Sequence, residues 1–175
     1  MATASNSRDI LWRDSFNTYY DTYFDELWSD HQIKQWMRID FAMKFVIAIT
    51  ASGSAVAGLA LWSSSGGKIA WAVLSLIAAL AGIFQSAAQS GSLIKEHTKS
   101  NKDFGDLRNE LEDFRRELDL DPQYNVSSRN AEFTKLKGKY RDYEKNAPHD
   151  WTEAYWAKWK VQDDLNVMIS DQIQR

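Results

Sequence analysis

The sequence predicts an all-α membrane protein in which a two-helix transmembrane hairpin follows an N-terminal amphipathic helix and precedes a C-terminal cytoplasmic helical stalk and bundle. This prediction depends on how charge is distributed along the chain. Between Phe41 and Ala88 only Lys44 and Lys68 are charged, whereas Lys95–Lys145 is dense in Lys, Arg, Asp and Glu. The mean hydropathy of -0.49 therefore averages two kinds of sequence, one suited to lipid and one suited to water.

Residues 1–40 are predicted to be cytoplasmic and to contain an amphipathic helix from Asp14 to about Ser29. Apolar and aromatic side chains recur there at helical spacing, with acidic residues between them. The apolar face consists of Phe16, Tyr20, Tyr23 and Leu27. The polar face has few Lys or Arg residues, which disfavours a helix bound to the membrane surface and favours packing against another helix.

Two membrane spans are predicted at residues 41–62 and 69–88, within a membrane region of 41–94. The spans contain 22 and 20 residues, and a bilayer core about 30 Å thick needs about 20 residues in helical conformation. The connection, residues 63–68, is rich in Ser and Gly and suits a tight turn, so the two helices are expected to be antiparallel neighbours. The alternative is a soluble helical hairpin, but neither segment has the continuous polar face that such helices keep.

Positive charges near the spans predict their orientation, because short cytoplasmic flanks are enriched in Lys and Arg. Lys34 and Arg38 precede the first span, while the loop between the spans has Lys68 alone. The residues that follow the second span include Lys95, Lys99 and Lys102. The loop is therefore expected outside and both termini inside. Lys44 fits this orientation, since its side chain leans toward the N-terminus of its helix and reaches the inner interface.

Small residues are spaced for close helix packing in both predicted spans. Pairs four residues apart let two helix backbones approach in lipid, where the hydrophobic effect does not drive helices together. The pairs are Gly53 with Ala57, Ser54 with Gly58, Ala78 with Gly82, and Gly82 with Ser86. They predict either tight packing within the hairpin or assembly of several chains.

A small and polar stripe is predicted near the inner end of the second span. Gly82, Gln85, Ser86 and Gln89 lie at positions i, i+3, i+4 and i+7, which share one face of a helix. The glutamines either hydrogen-bond across a packed helix interface or line a water-filled path between subunits. Packing is favoured by the stripe alone, because two helices from one chain enclose no lumen and a pore requires an oligomer.

Residues 95–120 are predicted to form a helical stalk that continues the second span. No Pro occurs between Ile69 and Leu118, so one helix of about 75 Å is expected, extending about 45 Å beyond the hydrocarbon core. Its apolar residues, in a heptad pattern over two heptads, are Phe104, Leu107, Leu111, Phe114 and Leu118. This pattern leaves two alternatives open, a coiled coil between chains that makes an oligomer and packing against other cytoplasmic helices.

Residues 121–175 are predicted to form further cytoplasmic helices. Ser127 or Ser128 is expected to cap a helix that ends near Pro148, and Asp150 is expected to begin a last helix. The last helix has aromatic residues one turn apart, which more often form a small core than a platform for a nucleobase.

Sequence signatures of enzymes and cofactor sites are missing. The chain has no cysteine, which excludes disulfides, thiolate metal sites and a cysteine nucleophile. It has no phosphate-binding glycine loop, no dinucleotide fingerprint and no HExxH motif, and its 3 histidines lie far apart. The formal net charge of -3, with basic and acidic residues interspersed, indicates no basic surface for nucleic acid. We therefore expect no catalysis, cofactor, metal or nucleic-acid partner.

The order of these segments resembles the SLATT family of bacterial two-transmembrane proteins. The resemblance covers roughly Asp30 to Leu120. It consists of an aromatic helix entering the membrane, two spans rich in Ala, Gly and Ser joined by a minimal turn, and a helix that continues into LIKEHTKSNKDFGDLRNELEDFRREL. It depends on this organisation, and on Ala87 to Leu118, more than on any invariant motif.

The resemblance implies a multi-pass protein of the bacterial inner membrane that acts as an effector in antiphage or other conflict systems. Such effectors are expected to form pores or disrupt the membrane, to cause abortive infection, and to work with a partner that makes or senses a nucleotide signal. The family has no catalytic residues to transfer to this chain. The alternative from the sequence is a membrane-anchored scaffold whose cytoplasmic helices bind another protein.

Overall fold

The part of the chain that the structure, a computed structural model, describes is entirely helical apart from short connections. It comprises residues 2–53, 65–121, 123–149 and 155–173. The helices in these ranges are α1 (Ala2–Gly53), α2 (Ser65–Ala88), α3 (Ser90–Leu120), α4 (Val126–Asn146) and α5 (Tyr155–Ile173). No strand occurs among the described residues, and the all-α prediction is confirmed for them.

The chain divides into two compact units. One, called the bundle below, consists of Met1–Gln32 and Glu96–Arg175. The other, called the apolar unit, is the continuous segment Ile33–Lys95. Helices α1 and α3 each contribute residues to both units.

The bundle has a hydrophobic core to which its four helices contribute. Its buried members are Leu11, Tyr19, Tyr23, Leu107, Leu111, Phe114, Leu118, Tyr124, Phe133, Leu136, Leu165 and Ile169. Burial of a large apolar side chain contributes about 1.5–3 kcal/mol, so helices with polar outer faces are held together mainly by this core. The amphipathic helix predicted for Asp14 to Ser29 is confirmed within the longer α1, and its aromatic side packs in the bundle, as predicted.

The heptad residues of α3 belong to this core. Phe104, Leu107, Leu111, Phe114 and Leu118 are each between 0% and 4% exposed in a single chain. In this conformation they are covered by other helices of the same chain and present no seam to a second copy. Of the two alternatives left open by the sequence, the structure contains packing within the chain.

Aromatic rings of α1 and an arginine of α3 form a second layer of contacts in the bundle. The guanidinium carbon of Arg115 lies 4.8 Å from the ring centre of Phe16 and 5.1 Å from that of Trp12. Burial lowers the pKa of Arg115, and the ring faces offset part of that cost by cation–π attraction.

The cap of α4 differs from the prediction. Asn125, rather than Ser127 or Ser128, is the N-cap: its side-chain oxygen accepts hydrogen bonds from the backbone N–H groups of Ser127, at 3.0 Å, and Ser128, at 3.3 Å. The helix begins earlier than expected, because an asparagine carboxamide satisfies these N–H groups as well as a serine hydroxyl does. The predicted end near Pro148 is confirmed, since α4 ends at Asn146. The predicted cap at Asp150 lies outside the described residues.

One helix of the apolar unit is long and apolar enough to cross a membrane. It is the segment Ser65–Phe84 of α2, with a mean hydropathy of 1.9 and 11% of its most apolar stretch buried. Because α2 begins at Ser65, the last four residues of the predicted turn of 63–68 are helical instead. Residues 41–53 of the first predicted span are helical; its remainder, with Ser54, Ala57 and Gly58, lies outside the described residues.

The prediction of one continuous helix from Ile69 to Leu118 is wrong. Helix α2 ends at Ala88 and α3 begins at Ser90. Between them Gln89 has a φ of 43°, in the left-handed region. A right-handed helix cannot pass through that conformation.

Candidate functional site

The break between α2 and α3 brings together residues that are far apart in the sequence. We call Gln89 and Ser90, together with Asp40 and Lys44 of α1, the junction. The carbonyl of Gln89 accepts hydrogen bonds from the backbone N–H groups of Ser92, at 2.8 Å, and Leu93, at 3.2 Å. Helix α3 therefore restarts directly after the break, with the first carbonyl already paired.

Asp40 is the centre of the junction. The hydroxyl of Ser90 donates a hydrogen bond to Oδ1 of Asp40 over 2.7 Å. The ammonium of Lys44 lies 2.6 Å from Oδ2 of the same carboxylate. These two partners, Lys44 first and then Ser90, lower the pKa of Asp40 below its ordinary value, so the carboxylate is ionised at neutral pH.

The polar groups of the junction lie beside apolar side chains of α1, some buried and some exposed. Ser90 is only 6% exposed, and Trp36, one turn before Asp40 on α1, is fully buried. On the adjacent face of α1, Met37, Phe41 and Phe45 are exposed. A buried hydroxyl needs a partner, and the Asp40 carboxylate provides it.

The face of α2 that points away from the rest of the apolar unit is formed by large aliphatic residues. We call it the apolar face of α2, and its members are Ile69, Val73, Leu76, Ile77, Leu80 and Ile83. Each of them is at least 46% exposed. The opposite face has small residues, of which Gly67 and Ala81 are buried and Ala78 and Gly82 are partly buried. A helix that packs closely against another helix in lipid has this arrangement, with large residues facing the lipid and small residues facing its neighbour.

The predicted polar stripe is interrupted. Gly82 and Ser86 lie in α2, whereas Gln89 lies outside the helix and does not continue its face. The side chain of Gln85 lies outside the described residues. Gly82 is partly buried, and a Cβ built on it would meet no described atom within 4 Å beyond its own helix backbone. The stripe was predicted by extending helical spacing through a residue whose backbone is left-handed.

The bundle contains a buried acid that the sequence analysis did not single out. The phenol of Tyr140 donates a hydrogen bond to Oδ2 of Asp25 over 3.1 Å. Burial, opposed by the Tyr140 hydrogen bond and assisted by the nearby carboxylate of Glu144, raises the pKa of Asp25 to about 6. Acidic residues lie between the apolar positions of this part of α1, and no local pattern distinguishes Asp25 from the others.

A polar cleft of about 430 Å³ lies between α3 and the end of α4. Its lining includes Glu96, Asp103 and Asp142, against one cation, Lys99. The excess of carboxylates disfavours a phosphate ligand. Among the described residues no three His, Asp or Glu side chains are grouped so as to hold a metal ion.

Sequence reasoning also missed Asp40 and Ser90, although the sequence contains a signal for them. Asp40 directly precedes the first predicted span and Ser90 follows the second by two residues. In an antiparallel hairpin with spans of similar length these two positions lie side by side. The loop length and span lengths were therefore enough to pair the two positions, but not to predict the hydrogen bond.

Comparisons with known proteins add no relative: no protein-family model, no curated protein and no solved structure matches the chain.

Proposed function

We propose that this protein is an oligomeric membrane effector that opens a pore or disrupts the bilayer when a partner signals to its bundle. The observation that supports this most is the apolar face of α2. Several large aliphatic side chains on one 24-residue helix are exposed in the single chain. Exposed apolar area of this extent is characteristic of a lipid or protein contact, and lipid is the simplest cover for a helix of this hydropathy.

A hairpin of two spans is part of the proposal. The Ser90–Asp40 hydrogen bond joins the residue before the first predicted span to a residue just after the second. A turn at the far end and a bond at the near end are what an antiparallel hairpin requires. The Lys44 ammonium also reaches back toward the start of α1, toward the proposed inner interface.

The oligomer is proposed to form through the membrane helices. The heptad seam of α3 is occupied within the chain, and a single hairpin encloses no lumen. Ala78 and Gly82, four residues apart on α2, suit the close approach of another membrane helix. In this proposal the bundle is the closed, regulated part, and its rearrangement frees the membrane helices to assemble.

The signal is proposed to arrive through a protein partner. The acidic cleft between α3 and α4 repels the phosphates of a nucleotide. Helix α5, in contrast, exposes Trp156, Trp159 and Val167, and exposed tryptophans are typical anchors of protein interfaces. An exposed apolar surface of this kind suits a sensor or nucleotide synthetase as the partner better than it suits a nucleotide bound directly to this chain.

Expression in bacteria with a membrane-potential dye tests the effector proposal. We compare the full chain with a chain that ends at Leu120 and so lacks α4 and α5. Removing these helices uncovers the core face of α3, and we expect stronger depolarisation than with the full chain. If neither chain depolarises cells at membrane levels confirmed by immunoblotting, the proposed pore or disruption activity is wrong.

A charge substitution tests the membrane crossing separately. Leu76→Arg places a guanidinium in the middle of the apolar face of α2, where insertion costs about 2.5–3.5 kcal/mol. The matched control is Leu120→Arg, at an exposed leucine at the end of α3. We expect Leu76→Arg to leave the membrane fraction and Leu120→Arg to remain in it. Equal recovery of both variants from the membrane would contradict a lipid-facing α2.

The second candidate function is a membrane-anchored scaffold. The exposed Trp156, Trp159 and Val167 of α5 favour it, because they suit a partner whether or not a pore forms. A scaffold tolerates replacement of residues 41–88 by an unrelated two-span anchor, whereas an effector loses its depolarising activity. The two candidates therefore differ in the result of one exchange.

A further inference from the structure

The segment Ser90-Gly91-Ser92 after the break is poor in helix formers, but it does not explain why Gln89 is the left-handed residue. Glutamine is a good helix former, and no proline lies near it. Gly91, two residues later, tolerates a left-handed backbone without a steric penalty. Yet no described glycine has a positive φ, and Gln89, at 43°, is the one described non-glycine residue that does. Helix propensity alone therefore does not account for a left-handed Gln89 beside a right-handed Gly91.

A hydrogen bond from outside the local sequence, Ser90–Asp40, lies directly beside this residue. Ser90 is more than nine-tenths buried, and its hydroxyl is held 2.7 Å from the ionised Asp40 carboxylate. A hydrogen bond to a charged acceptor is stronger than one between neutral groups, and breaking it leaves a buried hydroxyl unpaired. The bond joins α1 to the first residue of α3, directly after the strained residue.

We propose that Gln89 is a hinge and that the Ser90–Asp40 hydrogen bond is its latch. While the latch is closed, Gln89 stays left-handed and α2 and α3 are separate helices. When the latch opens, Gln89 relaxes to the right-handed conformation that a non-glycine residue prefers, and α2 and α3 become one continuous helix. The hinge is a property of the chain's conformation and holds whether or not the chain forms a pore.

Distance measurement by double electron–electron resonance tests the hinge in the full chain, reconstituted in lipid. The protein has no cysteine, so Ser75→Cys and Lys95→Cys provide the two spin-label sites. Both positions are exposed, and both lie in the apolar unit on opposite sides of Gln89. In a continuous helix the 20 residues between them span about 30 Å.

Three substitutions separate the latch from its surroundings. Ser90→Ala and Asp40→Ala each remove the latch. We expect both to move the distance between the labels at 75 and 95 away from its wild-type distribution, to the value near 30 Å of a continuous helix. Lys44→Gln is the matched control: it removes the other partner of Asp40 but keeps the Ser90 bond, and we expect the wild-type distribution.

A double variant guards against misfolding as an explanation. In Ser90→Ala with Gln89→Gly, glycine adopts the left-handed conformation about as readily as the right-handed one, so we expect part of the wild-type distribution to return. Wild-type distributions for Ser90→Ala and Asp40→Ala would overturn the proposal. It would also be overturned if Lys44→Gln shifted the distance as far as Ser90→Ala, or if the glycine variant recovered none of the wild-type distances.

Discussion

Asp25→Asn is expected to stabilise the bundle, and to do so more strongly at high pH than at low pH. Asp25 lies in a partly buried site, where the Tyr140 phenol donates to its carboxylate. Burial is the largest influence on its pKa, followed by the Tyr140 hydrogen bond, which opposes it. Repulsion from the carboxylates of Glu144 and Asp21 also raises the pKa of Asp25, and attraction to the Lys158 ammonium lowers it. Asparagine keeps the acceptor for Tyr140 and removes the charge.

The sign of the pH dependence follows from the direction of the pKa shift. The pKa of Asp25 is raised from 3.8 to about 6 in the folded chain, so the folded state holds the proton more tightly than the unfolded state does. Stability is therefore greatest below the unfolded pKa and falls as pH rises toward and through the folded pKa. At about 1.4 kcal/mol per pH unit, the full loss is about 3 kcal/mol above pH 7.

Hydrogen exchange, measured by mass spectrometry on peptides of α4, reports the free energy of opening the bundle in the intact chain. We expect wild type and Asp25→Asn to have equal protection near pH 4, and the variant to be more stable by up to about 3 kcal/mol at pH 8. Asp106→Asn, at an exposed position on α3, is the control and should match wild type. A stability difference for Asp25→Asn that does not change with pH would refute the buried-acid explanation.

Two further substitutions test the packing of the bundle. Leu111→Ala removes a fully buried side chain and should lower the free energy of unfolding, measured in urea, by about 2–5 kcal/mol. The control Leu120→Ala, at an exposed leucine, should change it by less than about 0.5 kcal/mol. Similar losses for the two variants would mean that the core is misassigned. Asn125→Ala removes the cap of α4 and should cost about 1 kcal/mol, while Asn125→Asp should restore most of it. An uncapped α4 as stable as wild type would contradict the observed hydrogen bonds.

Periodicity was the part of the sequence that predicted most. Helical spacing identified the amphipathic part of α1 and the heptad residues of α3, because a buried face requires apolar side chains every three or four residues wherever its partner lies. Composition identified α2 as a helix suited to lipid, because a helix surrounded by lipid is apolar on all sides and needs no polar face. These features depend on short windows of sequence and can be read from them.

The sequence left undecided which surfaces cover one another. Phe104 and Leu107 suited a neighbouring chain as well as a neighbouring helix, and only the folded bundle shows that α1, α4 and α5 occupy that seam. The pair of Asp25 and Tyr140 is separated by 115 residues, so no local pattern identifies it.

The sequence by itself determined that the chain is helical and which faces of its helices are apolar, since both follow from interactions within a few turns. Tertiary structure decided where the long helix breaks. Gln89 itself prefers a right-handed backbone, and a hydrogen bond between Ser90 and Asp40, 50 residues apart, accompanies its left-handed conformation. A contact made only in the folded chain is able to outweigh a propensity difference of about 1 kcal/mol or less per residue, which is why helix boundaries at such sites escape prediction.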